Sequence, residues 1–120
     1  MVEDRVTDGK RIGQLLASEL SGREDGSLGR VALVDADPDA EPSPDGRLAY
    51  RVSVDENPVA RVTLYPEYVT VVVTAGVDSV ATRAREEGLD ASVEDGRAVV
   101  RVESGAAVKR ALDAIVAGLS

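Results

Sequence analysis

At 120 residues the chain is the size of one domain, and residues 1–120 are read as a single α+β unit. It contains no Cys and no His, which excludes disulfides, thiolate nucleophiles, imidazole bases and His or Cys metal ligands. Fourteen basic residues against 22 acidic ones give a net charge of −8, which argues against general nucleic-acid binding.

The first helix is expected over about Asp8 to Arg23. Thr7 or Asp8 can cap it, and Ile12, Leu15, Leu16 and Leu20 fall at helical spacing. Arg5, Lys10, Arg11, Glu19 and Glu24 are expected to lie towards water. Leu28 to Asp35 reads as a first strand. The stretch from Asp35 to Gly46 then holds three Pro and five acids. Its largest apolar side chain is Ala, so residues 37–46 are expected to form an acidic, Pro-rich mobile loop.

A meander follows. Arg47 to Val54 alternates, with Leu48, Tyr50, Val52 and Val54 on one face and Arg47, Ala49, Arg51 and Ser53 on the other. Asp55 to Pro58 is the expected turn. Val59 to Tyr65 alternates again, Pro66-Glu67 turns the chain, and Tyr68 to Thr74 is the most apolar strand, expected to be central. Val77, Val80, Ala81 and Ala84 then mark a second helix that ends at Gly88-Leu89, and Asp78 or Ser79 is available to cap its start. Ala91 to Val93 and Ala98 to Val102 flank Asp95-Gly96, a strong hairpin signal. Ser104 can cap a last helix whose buried stripe is Val108, Ala111, Leu112, Ile115 and Leu119.

The order α-β-β-β-β-α-β-β-α implies a two-layer sandwich, a mainly antiparallel sheet with helices on one face. At the level of topology it resembles small chaperone-like domains built as helix, meander, helix, hairpin, helix, with one strand more before the second helix. That resemblance implies dimerisation and peptide partners. The composition itself has a style. Only Lys10 and Lys109 are lysines, there is no Phe or Trp, and 20 Val and 16 Ala dominate the apolar set. This profile resembles small acidic proteins of haloarchaea, and the resemblance identifies no functional family. It implies a cytoplasm at molar salt, where a Debye length of ~3 Å screens the self-repulsion. The polar, acidic start MVEDRVTDGK and the short apolar runs add the expectation of a soluble, cytoplasmic chain with no membrane contact.

Three features are candidate sites. Asp35, Asp37 and Asp39 alternate like the start of a calcium loop. However, Ala40 stands where the essential Gly belongs and Gly46 where the bidentate Glu belongs, so no metal is expected there. Gly76 and Gly105, each between a strand and a helix, lack a phosphate-binding motif. The third is the outer face of the meander, where alternation gathers Arg47, Arg51, Arg61, Thr63, Tyr65, Tyr68 and Thr70. Arg and Tyr there reverse the sign of an acidic chain, and both residue types are enriched in binding hot spots. The plain alternative is a wet sheet face with these Arg paired to Asp55, Glu67 or Glu103.

No catalytic motif and no cofactor site is read, and the chain is expected not to be an enzyme. The expected role is a small protein-interaction module or a homodimeric accessory subunit. It would bind itself or another protein through Arg47, Arg51, Arg61, Tyr65 and Tyr68. The alternative is a ligand or single-stranded nucleic-acid binder stacking bases on the same Tyr residues.

Overall fold

The computed structural model describes residues 8–22, 31–37 and 39–119. Arg5, Thr7, Arg23, Glu24, the expected strand start at Leu28 to Arg30, and Pro38 lie outside the described residues, as does the side chain of Leu119. Helix α1 spans Gly9–Gly22, and Asp8 caps it by accepting the Lys10 N–H at 2.8 Å. The strands are β1 (Val31–Val34), β2 (Arg47–Val54), β3 (Asn57–Leu64) and β4 (Val69–Val73). Helix α2 (Val77–Glu86), the hairpin β5 (Asp90–Glu94) and β6 (Arg97–Val102), and helix α3 (Val108–Leu119) complete the expected order.

The six strands form one antiparallel sheet in the order β1-β2-β3-β4-β6-β5. Period-two alternation dictates what each face carries. Ala60, Val73 and Ala98 lie side by side across β3, β4 and β6, as do Val62, Val71 and Val100, and then Leu64, Val69 and Val102. All nine are buried beneath the helices. The helices answer with Ile12, Leu16 and Leu20 from α1, Val80, Ala81 and Ala84 from α2, and Val108, Ala111, Leu112 and Ile115 from α3. Burying each Val, Leu or Ile side chain stabilises the fold by about 1.5–3 kcal/mol before entropy is counted. A core of small aliphatics lets backbones approach closely. A Cβ on Gly9 would stand 1.8 Å from the Tyr65 carbonyl oxygen, so Gly9 lets the start of α1 sit against the β3–β4 turn.

The helix ends follow local rules, with one exception. Gly88 takes φ 81°, and the Gly88 and Leu89 N–H groups donate to the Arg85 and Ala84 carbonyls, closing α2 in a Schellman motif. Ser104 accepts the Ala107 N–H and opens a short 3₁₀ turn, Gly105–Ala107, that leads into α3. Neither Asp78 nor Ser79 caps α2; left-handed Gly76 stands at its N-cap with no side-chain bond.

Two irregularities change the faces of the meander. Ala49 is an extra residue between the pairs Leu48–Thr63 and Tyr50–Val62, and Val59 is an extra residue between Val52–Ala60 and Ser53–Pro58. The second one shortens the turn. Within it Asp55 and Glu56 carry positive φ, 51° and 71°, and β3 already begins at Asn57.

Candidate functional site

One sheet face is covered by helices and the other is bare among the described residues. Register across the bare face aligns Arg51, Arg61, Val72, Val99 and Ser92 on five neighbouring strands. Arg97 and Arg101 flank Val99 on β6 with the same parity, so the exposed face carries four arginines. Of the expected residues, Arg51, Arg61, Tyr65 and Tyr68 belong to this face. Arg47 does not. The extra residue Ala49 shifts the alternation, so Leu48 pairs with Thr63 on the bare side and Arg47 pairs with buried Leu64 on the other. From there its guanidinium reaches Asp37 at 3.4 Å.

The face divides into two clusters. At the β3–β4 turn, Tyr65 and Tyr68 stack with centroids 4.6 Å apart and planes 11° from parallel. The Arg101 guanidinium lies 3.8 Å over the Tyr68 ring and also pairs with Glu103 at 3.1 Å. Two groups that close to one ring must occupy its opposite sides, so both faces of Tyr68 are filled from within the chain.

Towards the other end, Arg51, Arg61 and Arg97 line a cavity of about 170 Å³ floored by Val72 and Thr74 and edged by Pro58. The bulge at Val59 builds this end of the site. The Thr74 N–H and hydroxyl both donate to the Val59 carbonyl, at 2.8 and 3.2 Å. Arg51 is paired with Asp35 at 3.3 Å. Arg61 and Arg97 have no ion-pair partner among the described residues. Glu94 stands opposite Arg97 in the register, but its carboxylate accepts from the Ser92 hydroxyl at 2.8 Å. Arg51 and Arg61 face each other directly across β2 and β3, a like-charge pairing that costs stability. On the far side of Arg51 the sign changes, with Asp35, Asp55 and Glu56 gathered at the β1–β2 margin. Arg51 thus pairs with Asp35 and Arg47 with Asp37, while Glu103, one of the expected partners, serves Arg101.

Sequence reasoning missed Arg97 and Arg101. Their signal was the alternation in Arg97-Ala-Val-Val-Arg101, legible as a strand face but not assignable to the meander's face until β6 is known to pair with β4.

A second cavity, about 300 Å³, lies under the acidic loop between α1 and β2. Gly13, Ala17 and Ala49 leave the room, and Leu33 and Leu64 supply apolar wall. The loop folds back over it. Ala40 is only 2% exposed, the Asp37 N–H donates to the Ala49 carbonyl at 2.9 Å, and Lys10 pairs with Glu41. That carboxylate holds the Lys10 ammonium above its ordinary pKa. Tyr50 is buried beside the cavity and donates to the Gly13 carbonyl at 2.9 Å. Loss of water raises its phenol pKa well above the ordinary 10.0.

No described helix is long and apolar enough to cross a membrane. Neither the curated proteins nor the solved structures contain a match to this chain. A family model does match, over residues 1–120, and the chain belongs to that family, described as a family of unknown function (DUF7993).

Proposed function

We propose that this protein is a small docking module whose bare sheet face binds an acidic surface of another protein, in a salt-rich cytoplasm. The observation that carries the reading is the pair of guanidiniums, Arg61 and Arg97, exposed at the sheet centre without ion-pair partners among the described residues. A chain of net charge −8 that keeps such cations free, beside a costly Arg51–Arg61 pairing, offers charge complementarity to an anionic partner. A different protein fits better than a second copy. A two-fold axis through the sheet centre would set Arg61 and Arg97 of one copy against those of the other. The Tyr stack weighs against the nucleic-acid reading, because Tyr68 has no free ring face for a base. The scarcity of lysine and the excess of carboxylates support the salt-rich setting.

The test is retention of the full chain on immobilised polyglutamate and on a single-stranded oligonucleotide at matched ionic strength, with light scattering alongside. Polyglutamate should retain the chain, the Arg61→Glu/Arg97→Glu double variant should pass through, and scattering should give a monomer. A dimer that separates in the double variant would move the reading to self-association. Preferential retention on the oligonucleotide, lost in Tyr65→Ala, would move it to nucleic acid.

A further inference from the structure

The cavity between Arg51, Arg61 and Arg97 is more specific than a cationic face. Its three arginines come from β2, β3 and β6, and Val72, Thr74 and Pro58 line it with them. No carboxylate lines it among the described residues. At about 30 Å³ per water, its volume of about 170 Å³ holds one tetrahedral oxyanion with a few waters. The charge also has a definite size. Asp35 already answers Arg51, which leaves the two positive charges of Arg61 and Arg97. A single carboxylate neutralises one of them; a phosphate monoester, carrying nearly two negative charges at neutral pH, neutralises both. Arginine suits this ligand, because its planar fork donates two parallel hydrogen bonds to a pair of phosphate oxygens. Contacts of that kind act at hydrogen-bond range, inside the ~3 Å Debye length of molar salt, where longer-range attraction is lost. The cross-strand Arg51–Arg61 repulsion is relieved when an anion sits between them, and the Val59 bulge, with its increased local twist, shapes the strands around the opening.

We propose that Arg51, Arg61 and Arg97 form a binding site for one phosphate monoester dianion. The proposal rests on the reading of the bare sheet as the working face, and it identifies the chemistry of the group held there. Two sources carry that chemistry, a free phosphorylated small molecule and a phosphorylated side chain on the docking partner.

The experiment is an amide NMR titration of the full chain at constant ionic strength in chloride. Inorganic phosphate, sulfate, acetate, an acidic phosphoserine peptide and its unphosphorylated form are added separately. Saturable shifts confined to residues around 51, 61, 72, 74 and 97 are expected with phosphate and sulfate, and not with acetate. Lowering the pH below 6, where phosphoserine loses a charge, should weaken the peptide and leave sulfate unchanged. Arg61→Gln and Arg97→Gln should each lower affinity about tenfold or more, the scale of a lost charge-assisted hydrogen bond. Arg61→Lys should fall between them and the native chain, and Arg85→Gln, on α2, should match the native chain. A peptide that binds far more tightly than phosphate assigns the site to a partner's side chain; equal affinities assign it to a free small molecule. Absence of saturable shifts with both phosphate and sulfate overturns the proposal, as does an unchanged affinity in Arg61→Gln. If the unphosphorylated acidic peptide binds as well as the phosphorylated one, this site falls while the docking reading stands. If phosphate binds and neither peptide adds to it, the site stands and docking falls.

Discussion

The two faces of the sheet are made from the same strands and obey opposite rules. On the inner face, residues at alternate positions of β3, β4 and β6 are Val, Leu or Ala, and all are buried. On the outer face, one residue along, stand Arg61, Thr63, Thr70, Arg97 and Arg101. The inner face is packed against the helices. The outer face sets Arg51 opposite Arg61, and no described helix covers it. Stability is therefore concentrated on one side of a single layer of backbone, and the proposed docking face is the side that contributes least to it.

The largest effect that can sharpen this contrast is a cavity on the inner side. Leu112, 1% exposed, packs in the core cluster, and Leu112→Ala should cost about 2–5 kcal/mol in chemical denaturation. A loss under 1 kcal/mol would mean the helical layer is not what holds the sheet.

A smaller effect belongs to Tyr50, the inner-side phenol whose bond to the Gly13 carbonyl ties β2 to α1. Removing that bond in Tyr50→Phe should cost about 0.5–1.5 kcal/mol at neutral pH. The pH dependence has a definite sign. The folded-state pKa is raised, so the stabilisation is fully present below the unfolded value of 10.0 and is lost as pH rises towards the folded value. The native chain should lose stability steadily above pH 10 and Tyr50→Phe should lose less, which parallel alkaline unfolding curves would show. Coincident curves would mean the phenol is not sequestered from water.

The smallest effect is expected where the contrast predicts none. Arg61→Gln removes one partner of the like-charge pair, and stability should change by less than about 0.5 kcal/mol, with a slight gain more natural than a loss. A loss above 1 kcal/mol would make Arg61 a structural residue and weaken the docking reading.

The order of elements was legible in the sequence because the hydrophobic period changes from two to 3.6 at Val77 and again at Ser104, and because Asp95-Gly96 and Gly88 occupy turns that demand positive φ. The faces were less legible. Leu48-Ala49-Tyr50 fits an unbroken alternation as well as a bulged one, and nothing in those three residues announces that Ala49 is extra. That is why Arg47 was assigned to the wrong side. Arg97 and Arg101 were readable as a strand face, but which strand they would lie beside depends on pairing across α2, which no local pattern encodes. The docking of the acidic loop through Ala40 was equally silent, since it depends on Gly13 and Ala17 leaving space far away in the chain.

The pairing of β4 with β6 also has a consequence in time. Strands β1 to β4 are joined in sequence, each beside the one before it, and β5 and β6 form a hairpin of their own on a tight turn. Such neighbours meet after short loop closures, on the microsecond scale of hairpins. Only the β4–β6 ladder joins strands that are not consecutive, with α2 and β5 between them in the chain. It closes the longest loop between paired strands of the sheet, and so carries the largest closure entropy. Until it closes, Val69, Val71 and Val73 lie on an unpaired edge. That interval, before the two halves meet, is when this edge is open to mispairing.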